Sequence, residues 1–240
     1  PSGVSVTIFE TATSGNDMVN TVAVVAGQTV SLRCTPTAAP AATDVYWTVQ
    51  WSGSTAGESI LLSSGYANTA ANRYAPLHGG NPFRGYTTEN DCRTVCPTPG
   101  VIKKLYAQAS GSPGAAPDAY RITLNVNGIA SALTCDINGP GTTGSDLVNT
   151  VNVVAGDILT ISIVPLNVPA NTVAIGMGMV FAPTTDGESI LPSGNWNSIG
   201  GTGTAYHGLA IGSTIVNAWG SEANNRQIAQ VTTIKKLYIK

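Results

Sequence analysis

A long internal repeat constrains this chain more than any other feature of its sequence. Residues 16–27 recur as residues 145–156 with nine of twelve positions identical, and residues 102–106 (IKKLY) recur unchanged as residues 234–238. The offset between the copies drifts only from 129 to 133, so the repeated unit has about 130 residues. Solenoid repeats are roughly 20–50 residues long. Each unit is therefore predicted to be a domain.

Alternation of apolar and polar residues predicts that these domains are built from β-strands. In residues 120–127 the predicted inward residues are Ile122, Leu124 and Val126, and the predicted outward residues are Arg121, Thr123, Asn125 and Asn127. Similar alternation predicts further strands at residues 133–137, 147–154, 159–163 and 173–181. Period-two alternation broken by frequent turn residues is typical of an antiparallel β-sandwich.

The first copy should contain a strand equivalent to residues 173–181. Residues 45–51 alternate in the same way, and the residues predicted to face inward are Val45, Trp47, Val49 and Trp51. A slip of one residue would turn every side chain to the opposite face. This strand therefore requires an offset of 130 between the copies.

The scarcity of charge narrows the class of protein further. Only 10% of the 240 residues are charged, whereas about 25% is usual for a soluble domain. Helical bundles and coiled coils need many more Glu, Lys and Arg residues, and disordered chains need a high net charge. Eleven basic against thirteen acidic residues give no basic footprint for nucleic acid. The longest apolar stretch, residues 173–183, is too short to span a bilayer.

The four cysteines fall into two groups. Cys92 and Cys96 lie close together in a polar, proline-containing segment, and we predict a local disulfide between them. Half of a zinc site is the alternative, although no second ligand pair follows at suitable spacing. Cys34 and Cys135 each lie on the apolar side of an alternating strand, where buried free thiols are predicted.

Several segments together resemble a known group of β-sandwich domains. They are residues 102–106, 110–114, 120–128, 132–135 and 153–157. The run resembles domains of bacteriophage and bacterial surface proteins, which are similar to the jelly-roll heads of collagen-like spore-surface glycoproteins and of the complement and tumour-necrosis-factor type. Such heads commonly trimerise or decorate fibres. The resemblance therefore implies assembly or display, and it carries over no catalytic residue.

The boundaries implied by the resemblance divide the chain unequally. Residues 57–182 form one complete module, which we call the central module. Residues 1–52, the N-terminal half-module, match the second half of a module, and residues 187–240, the C-terminal half-module, match the first half. The two halves are complementary. The expected fold is thus all-β, with two tandem jelly-roll-like antiparallel sandwiches, the second a permuted module closed within the chain or completed by a neighbouring chain.

The second sandwich is expected to lack one strand. Residues 234–238 are followed by only two more residues, so the C-terminal half-module has no counterpart of residues 120–127. A sandwich without a strand presents unpaired backbone groups that another chain can fill. We therefore predict assembly by strand exchange; loss of a strand during duplication, or cleavage of the chain there, is the alternative. The predicted assembly strands contain Val4, Val6, Ile8, Ile234, Lys235, Lys236, Leu237 and Tyr238, and the lysines suggest an edge strand.

The carboxylates and histidines give little support for catalysis. Glu58 recurs as Glu188, and Glu89 recurs as Glu222. An arginine follows Glu89 and Glu222 four residues later in each copy. A glycosidase pair needs carboxyl groups roughly 5–10 Å apart, but structural hydrogen bonds explain the recurrence equally well. Calcium at Asp17, Asp146 and Asp157 is an alternative with few oxygen ligands. His78 and His207 do not occupy equivalent positions, which argues against a shared triad.

The sequence therefore predicts a structural protein. We expect a non-enzymatic, cofactor-free subunit that assembles with identical copies into an extracellular filament or surface fibre, without nucleic acid and without membrane insertion. The alternative is a phage tail-fibre, receptor-binding or capsid protein, located on a cell surface or virion. In that alternative Trp196, Tyr206 and Trp219, which lie in Gly- and Asn-rich segments, would contact cell-surface glycans.

Overall fold

The alternating segments of the sequence form strands in the computed structural model, which describes residues 3–8, 12, 14–31, 33–37, 49–77 and 85–192. The nine strands in these ranges are β1 (Ser59–Tyr66), β2 (Arg73–Ala75), β3 (Thr94–Val95), β4 (Gly100–Ala109), β5 (Ala119–Val126), β6 (Ile129–Asn138), β7 (Thr143–Val153), β8 (Ile158–Leu166) and β9 (Ala174–Pro183). The one helix of the same ranges is a 3-10 turn, Glu89–Cys92. No helix there is long and apolar enough to cross a membrane.

The strands form two antiparallel sheets that enclose one apolar core. One sheet has the order β1-β9-β4-β7, and the other has the order β2-β8-β5-β6, with β3 also paired to β8. Both sheets contribute buried side chains to a single cluster, including Leu61, Ile102, Ile122, Leu124, Ile161, Ile175, Met177 and Phe181. The prediction of an all-β, sandwich-like protein is confirmed, as are the inward positions Ile122 and Leu124 of β5.

The chain divides into two compact units, Pro1–Ala42 and Thr43–Lys240. All nine strands belong to the second unit, between Ser59 and Pro183. In the first unit, the described residues form no strand, and a turn occupies Ala26 and Gly27.

Two positions of β5 differ from the prediction. Thr123 and Asn125 are buried although the alternation places them on the outer face of the sheet. The segment that contains the 3-10 helix explains this difference, because Asn125 Nδ2 donates a 3.0 Å hydrogen bond to Glu89 Oε1. Thr160 of the neighbouring strand β8 donates to the same carboxylate oxygen. The outer face of β5 and β8 is therefore polar, and at this point it is covered by the segment that contains the 3-10 helix.

The duplicated lysines do not mark an edge strand in the first copy. Residues 102–106 lie in β4, which is a central strand between β7 and β9. Their broken alternation comes from a β-bulge, where Lys104 adopts a φ of 57° and the pairing register shifts on both sides. Lys103 forms a 2.6 Å ion pair with Glu58. The edge-strand interpretation is thus wrong for residues 102–106.

The strand predicted over residues 45–51 is not formed at its described end. Val49 and Trp51, predicted to face a core, are exposed and belong to no strand. Val45 and Trp47 lie outside the described residues. Met179 and Phe181, the counterparts of Val49 and Trp51, are buried in β9, which pairs with β1 on one side and β4 on the other. Residues 49–51 pair with no described strand.

Candidate assembly surface

Every strand ladder of the described sandwich joins its first five strands to its last four. Strand β1 pairs with β9, β2 and β3 pair with β8, β4 pairs with β7 and β9, and β5 pairs with β6 and β8. Within the described ranges no ladder joins two of β1–β5 or two of β6–β9. A segment equivalent to β6–β9 alone would therefore leave each of its strands without a neighbour.

The N-terminal half-module repeats the local structure of β6 and β7 around one carboxylate. Asp17 accepts hydrogen bonds from three backbone N–H groups, those of Ser5, Val19 and Asn20, at 3.0, 3.3 and 3.0 Å. Asp146 accepts the equivalent three from Thr134, Val148 and Asn149, at 3.0, 3.1 and 3.0 Å. Each residue of the second set follows its counterpart by 129 positions. The duplication is therefore visible in hydrogen bonds as well as in sequence.

These donors stabilise the ionised form of both carboxyl groups. The backbone N–H groups of Asn20 and Ser5 lower the pKa of Asp17 to about 2. Burial of Asp146 opposes ionisation, but the hydrogen bonds from Asn149, Thr134 and Val148 outweigh it and hold the pKa below 3.8. A carboxylate whose lone pairs are occupied by protein donors has little capacity left for a metal ion.

A second local structure recurs at the turn that follows. The N–H of Gln28 donates to Val25 O, and the N–H of Asp157 donates to Val154 O, both at 3.1 Å. The Gln28 and Asp157 side chains in turn accept from the N–H groups of Val25 and Val154, at 3.0 and 2.8 Å. Residues 14–31 therefore keep the turns of the β7–β8 region while forming no strand.

The apolar residues of the N-terminal half-module are exposed where their counterparts are buried. Val6, Ile8 and Val30 are 46%, 48% and 57% exposed, whereas Cys135, Ile137 and Leu159 are 6%, 0% and 0% exposed. We call the exposed set (Val6, Ile8, Val30, and Cys34, the counterpart of buried Ile163) the acceptor face. It presents to solvent the positions that form the core of the described sandwich.

The predicted assembly residues fall partly on this face. Val6 and Ile8 belong to it, and Val4 beside them is half-buried. Ile234, Lys235, Lys236, Leu237 and Tyr238 lie outside the described residues. The same is true of Trp196, Tyr206 and Trp219, the predicted glycan contacts, and of His78 and His207. Those assignments stay predictions.

The duplicated glutamates make structural contacts. Glu58 forms the ion pair with Lys103, whose hydrogen bond lowers the pKa of that carboxyl group. Glu188, its counterpart, accepts a hydrogen bond from Thr98 Oγ1. Glu89 accepts from Asn125 and Thr160, and in the described part of the chain it forms no ion pair with Arg93. Glu58 thus ties a loop to β4, Glu89 ties the 3-10 helix to β5 and β8, and Glu188 ties two loops together.

All four cysteines are free thiols. The predicted Cys92–Cys96 disulfide is absent from the structure: Cys92 Sγ donates to Glu89 O at 3.4 Å, and Cys96 Sγ donates to Thr98 O at 3.1 Å. Burial raises the pKa of Cys92 and of Cys135 to about 12. The prediction of a buried thiol is confirmed for Cys135 but wrong for Cys34, which is exposed with the rest of the acceptor face.

The described residues contain no group of three or more His, Cys, Asp or Glu side chains placed to hold a metal ion. Asp157, one of the residues considered for calcium, accepts from Asn127 Nδ2 and from the N–H of Val154, both at 2.8 Å. Its oxygens serve the turn between β7 and β8.

One contact was not anticipated from the sequence. Ser189 Oγ donates a 2.9 Å hydrogen bond to Ser59 Oγ, and these two serines occupy the same position in the two copies. The repeat identifies the pair as equivalent, but alternation and composition say nothing about whether equivalent residues meet. A comparison with protein-family models and with curated proteins finds no match for this chain.

Proposed function

We propose that this chain is a non-enzymatic structural protein that assembles with identical copies into a filament or surface fibre outside a cell or on a virion. Assembly occurs when the N-terminal half-module of one copy receives strands of the β1–β4 type from another copy. The sequence similarity of residues 187–238 to β1–β4 makes the C-terminal half-module the source of those strands.

The observation that carries this proposal is the division of the ladders. Because all of them join β1–β5 to β6–β9, a segment of the β6–β9 type forms no sheet by itself. The N-terminal half-module matches this expectation, since it keeps the turns and the Asp17 hydrogen bonds but has no described strand. It is a half of a sandwich that needs its complement.

The strand order supports a jelly-roll type of module. The chain passes between the two sheets at most of its connections, and the sheets β1-β9-β4-β7 and β2-β8-β5-β6 each contain strands from both halves. Eight main strands in two such sheets are typical of jelly rolls. A second module of this type, built from two complementary halves, would bury the acceptor face.

The energy available from completing a half-module is substantial. Burial of one aliphatic side chain stabilises by about 1.5–3 kcal/mol. Val6, Ile8, Val30, Val49 and Trp51 all have buried counterparts, so completion gives roughly 7–15 kcal/mol on that scale. Association costs about 4–15 kcal/mol in lost freedom. The gain from these five residues is thus of the same size as the cost of association, and the lack of charge on the acceptor face keeps its desolvation cost low.

The duplicated carboxylates support a non-enzymatic role. Glu58, Glu89 and Glu188 each bind a side chain of another segment of the sandwich. Duplication therefore preserved them for the fold, and the chemistry of a hydrolase is not needed to explain their recurrence.

Cys34 offers a test of this function in the unmodified protein. Its counterpart Ile163 is fully buried, so assembly should bury Cys34. We expect maleimide to label Cys34 rapidly in dissociated chains and at least about tenfold more slowly in assembled material. Cys135, already buried in the sandwich, is the internal control and should react slowly in both states. Electron microscopy and sedimentation velocity establish whether polymers are present.

Two outcomes would contradict the proposal. Chains that remain monomeric at every concentration would show that no assembly occurs. Regular filaments in which Cys34 reacts as fast as in dissociated chains would show that assembly uses a different surface. Support would be strengthened if chains labelled at Cys34 before assembly no longer polymerise.

A further inference from the structure

The start of the C-terminal half-module lies against the beginning of β1. Besides the Ser59–Ser189 hydrogen bond, two identical turns flank this point. The N–H of Glu58 donates to Thr55 O, and that of Glu188 donates to Thr185 O, both at 3.2 Å. The glycine before each glutamate has a φ of 77°. The chain therefore enters and leaves the sandwich at one place, through two copies of one turn.

Beyond this turn the second copy does not follow the first. Ile190 is buried in the core of the sandwich, whereas its counterpart Ile60 is only partly buried. Leu191 is 56% exposed, although its counterpart Leu61 is 2% exposed. The facing of the two residues is thus reversed, and Leu191 is left outside the core that Ile190 joins.

The register of β1 and β9 identifies what Leu191 should pair with. In the described sandwich Leu61 lies opposite Met179, and Ser59 lies opposite Phe181. At the offset of 130, the counterparts of Met179 and Phe181 are Val49 and Trp51. Val49 is 75% exposed and Trp51 is 45% exposed, whereas Met179 and Phe181 are almost completely buried.

We infer that residues 49–51 of one copy pair antiparallel with residues 189–191 of a second copy, with Val49 opposite Leu191 and Trp51 opposite Ser189. This inference rests on the proposed function and names the strands and register at which two copies join. This pair is the counterpart, formed between two chains, of the β1–β9 ladder that exists within the sandwich. The occupant is a second copy because one chain alone leaves Val49, Trp51 and Leu191 all exposed.

Directly opposite residues of an antiparallel pair have Cα atoms roughly 4.5–5.5 Å apart, which lies within the range of a disulfide. The test therefore mixes two full-length variants, V49C and L191C, each also carrying C34S, with one of them labelled with ¹⁵N. Under mild oxidation we expect a disulfide between the labelled and unlabelled chains. The matched control replaces V49C by Gln50→Cys, whose side chain alternates to the other face and should cross-link at least about tenfold less.

A chain that carries both V49C and L191C then separates the two possible arrangements. An internal disulfide at the mass of one chain would overturn the pairing between copies. Equal cross-linking of V49C and Gln50→Cys, or none, would overturn the register. Sedimentation is measured on the same variants, and the reactivity of Cys34 is measured on the unmodified chain. Polymers of the variants without a cross-link, together with a protected Cys34 in polymers of the unmodified chain, contradict this inference alone. Unmodified chains that stay monomeric with a reactive Cys34 contradict the proposed function itself.

Discussion

At the scale of single residues, the most informative feature is the carboxylate that holds a loop in both copies. Asp17 and Asp146 each accept three backbone N–H groups. An amide side chain has only one acceptor oxygen, so asparagine cannot make the same set of bonds. The residue after each aspartate, Met18 or Leu147, and the one after that, Val19 or Val148, are exposed. The loop is therefore held by its polar residue, not by its apolar ones.

Replacement of Asp146 by asparagine should destabilise the sandwich by about 1–3 kcal/mol, because the buried carboxylate loses the partly buried hydrogen bonds that its second oxygen accepts from Thr134 and Asn149. Asp136→Asn is the matched control, since Asp136 forms a more exposed ion pair with Arg121 that should contribute less than about 1 kcal/mol. Urea unfolding, with hydrogen exchange of peptides from β5 as the readout, measures the loss of stability in both variants. Equal losses in the two variants would show that the Asp146 hydrogen bonds are unimportant.

The same carboxylates predict an acid-dependent loss of stability. Because the folded-state pKa of Asp146 lies below its ordinary value of 3.8, its contribution is fully present above the unfolded pKa and is lost as pH falls through the folded pKa. The difference between wild type and Asp146→Asn should therefore shrink as pH is lowered below about 4. A difference that stays constant down to pH 2 would contradict this linkage.

At the scale of elements, the packing of the strands depends on where glycine is required. A Cβ at Gly100 in β4 would lie 2.6 Å from Ala182 O and 2.6 Å from the Phe181 ring. A Cβ at Gly176 in β9 would have its nearest neighbour, Gln108 O, 4.0 Å away. Two glycines of the same sheet thus differ sharply in the space around them.

Gly100→Ala should destabilise the sandwich by about 1–3 kcal/mol, because overpacking displaces Phe181 from the core. Gly176→Ala, its control, should change stability by less than about 0.5 kcal/mol or increase it slightly, since alanine restricts the unfolded chain. Thermal unfolding followed by circular dichroism checks both. A tolerated Gly100→Ala would show that β4 and β9 can separate at this point.

The elements also show what sequence patterns can and cannot predict. Alternation predicted β5 and β8, and the inward residues Ile122 and Leu124 of β5, because burial on one face of a strand leaves a period of two. It could not reveal that Asn125 is covered by Glu89, 36 positions away. It misplaced residues 102–106, because a bulge at Lys104 breaks the period in the same way that an edge charge does. Val49 and Trp51 follow the alternation of a buried strand, but alternation alone does not show whether a neighbouring strand is present to pair with them.

At the scale of the whole molecule, the repeat predicts that the two half-modules at the ends of the chain are complementary. The repeat and the module boundaries implied by the resemblance predicted the N-terminal half-module, but only the structure shows that Val6, Ile8 and Val30 are exposed where their counterparts are buried. The free state of Cys92 and Cys96 could likewise not be predicted, because spacing alone does not orient two thiols.

Charge on the acceptor face should abolish assembly while leaving the sandwich intact. We expect Val6→Asp with Ile8→Asp to reduce polymer formation at least about tenfold, because a carboxylate cannot be buried unpaired. Val168→Asp is the control, since Val168 is exposed in the loop between β8 and β9 and has no role in the proposal. Sedimentation velocity measures assembly, and thermal unfolding verifies the sandwich. Normal polymerisation of the double variant would contradict the proposed surface.

The division of the ladders also sets the order in which this protein can fold. Among the described strands, only the β5–β6 ladder joins strands that are consecutive in the chain, so it is the one described ladder that can form by local closure. Every other described ladder joins strands that are far apart in the chain, so its second strand is synthesised much later than its first. Folds dominated by such long-range pairing form slowly, on a scale of roughly milliseconds to seconds. During that interval the N-terminal half-module, which in our proposal pairs with strands of the β1–β4 type, has already been synthesised. On that proposal, β1–β4 of the growing chain can pair either with this half-module or, later, with β6–β9.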